Sequence, residues 1–109
     1  MQRIISNNMN SLIKICEKYK VLKLYAFGSV ISDKFSEENS DLDLQVELDT
    51  MDIIERGENL IHLWDELENL FQKKVDLLTD KPIKNPFFRV QVDKTKKLIY
   101  DRSKQKIPV

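Results

Sequence analysis

One stretch constrains the fold more than any other: Phe27-Gly28-Ser29-Val30, followed after a polar loop by Ser40-Asp41-Leu42-Asp43-Leu44-Gln45-Val46. Ahead of it, Leu22 to Phe27 is an apolar run with strand character, and the Gly-Ser pair makes the turn out of it. Beyond the loop, acidic and apolar residues alternate. Strand side chains point to opposite faces with a period of two, so Asp41 and Asp43 project from one face while Leu42, Leu44 and Val46 take the other. The two carboxylates then sit one strand repeat apart, roughly 7 Å between Cα atoms, which suits shared coordination of a hard cation. Like charges at the edge of a core repel, so one must take a proton or a counter-ion must bind. A third carboxylate is available in Lys74-Val75-Asp76-Leu77-Leu78-Thr79, a second run rich in Val and Leu. If this strand lies beside the first, Asp76 joins the cluster, because Val75 and Leu77 point into the core. Taken singly, each acid reads as an ordinary turn or surface residue, and only the set points to a site.

Gly28 lets backbone approach a ligand closely, and the residues after it open a short helix whose free N–H groups face an anion. Ser29 adds a hydroxyl donor. In order and element type, Gly28, Ser29, Ser40, Asp41, Asp43 and Asp76 resemble the nucleotidyltransferase superfamily of the DNA polymerase beta type. Within it, the likeness is to the stand-alone minimal nucleotidyltransferases, the MNT or MntA-like proteins, and it spans roughly Leu22 to Thr79. The resemblance implies an α/β (α+β) fold, a small mixed sheet with helices packed on it. It implies that a nucleoside triphosphate, ATP foremost, lies with its phosphates at Gly28 and Ser29 beside Ser40. Asp41 and Asp43 would hold two Mg²⁺ ions, with Asp76 ligating the second and helping to deprotonate an acceptor hydroxyl. The implied chemistry is in-line attack of that hydroxyl on the α-phosphorus with loss of pyrophosphate. Proteins of this type are commonly paired with a HEPN-domain protein, acting as antitoxin to that toxin and modifying one of its hydroxyls with AMP.

The chain departs from its relatives after Gly28-Ser29. Where active members often carry a basic residue followed by Gly, Ser32-Asp33 stand here, with Lys34 as a substitute point charge. A guanidinium offers phosphate oxygens fixed bidentate contacts that an ammonium does not. This departure motivates a second reading, a nucleotidyltransferase-fold binding module that neutralises a partner by contact alone. A third is a small-molecule adenylyltransferase, of the kind acting on aminoglycosides, with its acceptor pocket formed across a homodimer.

The remaining segments read as a single domain over 1–109 built around this core. Ile5, Met9, Leu12, Ile13 and Cys16 give Gln2 to Lys20 the spacing of one amphipathic helix. Cys16 lies on its apolar stripe and reads as core. Asp49 or Thr50 is placed to cap a long helix from Met51 to about Gln72, whose stripe of Ile53, Gly57, Leu60, Trp64, Leu67 and Phe71 should face the sheet. Trp64 then reads as packing and His62 as a solvated helix-face residue. Asp80 to Pro86 is turn-rich, Phe87 to about Lys94 a short helix, Lys97 to Tyr100 a last strand, and the chain frays from about 102. Nine Lys and Arg follow from Lys81 onward against Asp93 and Asp101, yet the whole chain has a net charge of zero. The electrostatic footprint of a duplex nucleic-acid binder is therefore missing. No apolar run approaches the ~20 residues of a membrane span, and a lone Cys16 without an export signal points to the cytoplasm.

Overall fold

Alternating residues of the acidic stretch form the middle of the molecule. In the computed structural model, which describes residues 3–31, 40–79 and 86–105, strand β2 (Leu42–Leu48) buries Leu42, Leu44, Val46 and Leu48. Strand β1 (Val21–Phe27) pairs antiparallel with β2 and, on its other side, with β4 (Lys97–Asp101). Strand β3 (Val75–Thr79) pairs parallel with β2, giving a mixed four-stranded sheet of order β3-β2-β1-β4. A parallel pair needs a crossover, and α3 (Ile53–Phe71) supplies it. The N-terminal helices α1 (Arg3–Ser6) and α2 (Met9–Lys18) add Ile5, Leu12 and Cys16 to a core shared with Leu63, Leu67 and Phe71 of α3. Helix α4 (Pro86–Thr95) packs against the 3₁₀ turn Gly28–Ile31.

The expected strands stand within a residue or two of their predicted bounds, and the helices differ in informative ways. The single N-terminal helix is broken at Asn7 and Asn8, because the Asn8 amide donates to the Ile4 carbonyl at 2.7 Å and takes over a bond the helix backbone would make. Asp52 caps α3, accepting from the Glu55 N–H at 2.9 Å. Asp49 is engaged elsewhere, with the Thr50 N–H at 2.7 Å and Arg102 at 2.9 Å. The buried stripe of α3 runs through Leu63, Leu67 and Phe71, leaving Ile53 at 80% and Trp64 at 41% exposure. The expected stripe was thus off by one residue at Trp64, whose polar indole N–H finds its partner at the sheet edge. The chain beyond Arg102 does not fray at once: α5 (Arg102–Gln105) continues it. The expectations for Ser32, Asp33, Lys34, the Ser36 to Asn39 loop and the turn from Asp80 to Asn85 lie outside the described residues. Among those described, no helix is long and apolar enough to cross a membrane.

The Tyr100 side chain is buried, and its hydroxyl has no hydrogen-bond partner among the described residues. A buried hydroxyl without a partner carries its desolvation cost uncompensated. Tyr100→Phe should therefore leave stability unchanged or raise it by about 1 kcal/mol, measured by urea titration; a loss of that size would reveal a partner for the hydroxyl.

Candidate active site

Strand register places the site. The parallel β2–β3 ladder sets Asp43 opposite Asp76, and the antiparallel β1–β2 ladder sets Asp43 opposite Phe27, the residue before Gly28. Three neighbouring strands thus bring Gly28, Asp43 and Asp76 into a row. Gly28 has φ +71°, a left-handed conformation that side-chain-bearing residues rarely adopt. A Cβ there would also run into Asp43, lying 3.2 Å from its Cγ and closer still to Oδ2. Two independent constraints therefore demand glycine. Val30 is buried and pins the 3₁₀ turn, with Ser29 half-buried beside it.

Electrostatics single out Asp43. Burial, the charge of Asp76, a hydrogen bond to Asp76 and the charge of Asp41 together push its carboxyl up to about 6. Asp41 itself is exposed, with Lys74 Nζ 3.9 Å from Oδ2. The Ser40 carbonyl accepts from the Lys73 ammonium. Of the three expected acids, the structure brings Asp43 and Asp76 together and leaves Asp41 facing Lys74. Among the described residues, no three acidic, histidine or cysteine side chains close on one point. The reason is positional: Asp41 and Lys74 each precede their strands, where the Leu42 N–H to Lys74 carbonyl bond of 3.0 Å makes them neighbours. The Asp43–Asp76 pair fits a hard divalent cation in its chemistry, since two oxygen donors stand side by side and resist joint ionisation. Asp41 would have to turn from Lys74 to join them, and a half-exposed ion pair of that length costs little to break.

A cleft of about 670 Å³ opens over the pair, with Gly28, Asp43 and Asp76 on its acidic side and Phe27, Ile31, Leu77, Leu78 and Val92 among its apolar walls. Trp64 also lines it. Further along the face that carries Asp43, Gln45 is only 6% exposed and is held at both ends of its amide. Its Nε2 donates to the Thr79 carbonyl at 3.4 Å, and its Oε1 accepts from Lys96 Nζ at 3.2 Å. That ammonium also lies 4.4 Å from the centre of the Tyr25 ring and 3.3 Å from Asp93. Sequence reasoning missed Trp64, Gln45 and Lys96 as neighbours of the site. A signal existed only for Trp64, whose indole N–H needs a partner when the ring is packed.

Residues 10–105 match the family described as polymerase beta, nucleotidyltransferase. A Methanocaldococcus jannaschii protein named as a protein adenylyltransferase is 38% identical over 84 residues, covering 77% of this chain and 80% of the relative. Among solved structures, a toxin–antitoxin complex with AMP-PNP matches with TM-score 0.64 and 28% identity, over 90% of this chain and 77% of the other. A complex of tri-AMPylated Shewanella oneidensis HEPN toxin with MNT antitoxin matches with TM-score 0.59 and 25% identity, over 93% and 76% of the respective chains.

Two outcomes follow from the geometry. A carboxyl whose folded pKa stands near 6, above an unfolded value near 4, favours folding fully below about pH 4 and loses that contribution as pH rises through 6. Asp43→Asn should accordingly melt above the parent protein at about pH 8 without divalent ions, with the gain vanishing near pH 4; an equal gain at both would show that Asp43 is not strained. Gly28→Ala should cost about 1 kcal/mol or more in a denaturant titration, since it meets both the positive φ and the Asp43 carboxylate.

Proposed function

Because this chain belongs to the polymerase beta nucleotidyltransferase family and is a nucleotidyltransferase, we propose that it moves AMP from ATP to a hydroxyl of a HEPN-type protein, as the antitoxin of a toxin–antitoxin pair. The observation that carries the reading is the Asp43–Asp76 pair, held against the Gly28 turn on one side of an open cleft. Gly28 and Ser29, with Ser40, bind and orient the triphosphate. Asp76 takes the proton of the acceptor hydroxyl as the new P–O bond forms at the α-phosphorus, and pyrophosphate leaves. Magnesium, two ions by family likeness, would be held by Asp43 and Asp76 with Asp41 turned in from Lys74, and would supply charge neutralisation at the phosphates. Positioning and electrostatics are most of what this chemistry asks of a protein.

A protein acceptor is supported over a small molecule by the relative named as a protein adenylyltransferase and by the complexes that the fold resembles. On α3, Ile53, Ile54 and Ile61 stand exposed, an uncovered apolar face of the sort that protein partners cover. One observation favours the contact-only module instead, namely that Asp41 faces Lys74 and not the acid pair.

The two readings part on one experiment. With Mg²⁺, α-labelled ATP and the HEPN-type partner, label should pass to the partner, and replacing Asp41 and Asp43 together by Asn should cut transfer at least about 100-fold and abolish neutralisation. Neutralisation that survives undiminished in the double variant would establish contact alone.

A further inference from the structure

The indole of Trp64 has a fixed position that core packing does not explain. Its neighbour Leu63 is fully buried, whereas Trp64 is 41% exposed and lines both the cleft that holds Asp43 and Asp76 and a shallower groove beside Glu68 and Lys74. Its Nε1–H donates to the Val75 carbonyl at 2.6 Å, on the residue immediately before Asp76. The Val75 N–H in turn donates to Glu68 at 2.9 Å, so two side chains of α3 engage the backbone of β3. The ring is thus fastened to the strand that carries one of the two paired acids, and a ligand meets it already oriented, at little further entropic cost. Phe27 also lines the cleft but is buried. The Tyr25 ring carries the Lys96 ammonium.

From Gly28 at the end of β1, past Asp43 on β2 to Asp76 on β3, is two strand spacings, roughly 10 Å. Since β3 is outermost among the described strands, a triphosphate laid from the Gly28 turn over the acids delivers its sugar and base to the β3 edge, where the indole waits. We infer that Trp64 is the platform on which the base of the bound nucleoside triphosphate stacks, an assignment that rests on the nucleotidyltransferase reading of the cleft. Every base has a π-face, so the contact adds affinity for nucleotides over bare polyphosphate and selects weakly among bases.

Trp64 is the chain's single tryptophan, so intrinsic emission reports on this ring alone. Excited at the red edge of the indole band, where adenine does not absorb, the protein should lose emission on titration with ATP and Mg²⁺. Saturating tripolyphosphate with Mg²⁺ should leave emission unchanged. In equilibrium dialysis with labelled ATP, Trp64→Leu should bind about 5- to 100-fold more weakly, while Trp64→Phe, which keeps a ring, should retain most of the affinity. Should Trp64→Leu fail to fold by circular dichroism, the two titrations of the unaltered protein decide. ATP retained in dialysis without an emission change, or with the change that tripolyphosphate also gives, overturns the stacking assignment and leaves the transferase reading intact. Emission that responds only to the protein partner overturns it likewise. No retention of ATP at all overturns both.

Discussion

Two carboxylates held side by side by backbone hydrogen bonds are the constraint on which the rest of the site depends. Asp43 and Asp76 cannot drift apart, because the parallel ladder fixes their register and the opposite face of the same strands is committed to the core through Leu42, Leu44, Val46 and Val75. A slip of one residue would turn every one of those apolar side chains outward. Nor can Asp43 retreat toward β1, where Gly28 has been stripped to its backbone to make room for it. The repulsion must be met chemically, by a proton or a cation, and it adds to burial, the larger cause, in raising the Asp43 carboxyl.

Around that fixed pair, the structure separates what is rigid from what can adjust. Asp41 and Lys74 stand just before their strands and pair loosely in solvent. Asp41 is close enough to be felt by Asp43, and the exposed pair is free enough to rearrange when charge enters the cleft. Farther along the same face, Gln45 bridges the Thr79 carbonyl and Lys96, tying the end of β3 to the chain that follows α4. On the outer side, Trp64 and Glu68 engage the backbone of Val75, so the strand that bears Asp76 is braced by the crossover helix as well as by the ladder. Edge strands commonly need such covering, and here the cover also furnishes a wall of the cleft.

Much of this was legible beforehand in particular residues. Alternation from Asp41 to Val46 gave β2 its two faces, Gly28-Ser29 gave the turn, and Asp76 between Val75 and Leu77 gave the third acid its strand. The rotation of α3 was less legible, since a stripe through Trp64 and one through Leu63 differ by a single helical step of about 100° and carry similar hydrophobicity. Only the indole's polar N–H distinguishes them, and its acceptor is a backbone carbonyl that exists as a target once β3 is in place. The break at Asn8 is local in cause, yet it turns on a side-chain to backbone bond that periodicity does not register.

Local order in the chain determined the strands, the turn and the identity of the acidic residues, because period-two patterning and glycine's conformational freedom are properties of neighbours in sequence. The tertiary structure alone decided which acids meet. Asp43 and Asp76 face one another across a ladder between segments more than thirty residues apart, whereas Asp41, two residues from Asp43, falls outside that ladder and turns to Lys74. Hydrogen-bond register between distant strands sets the distance between charges, and no reading of neighbours along the chain contains it.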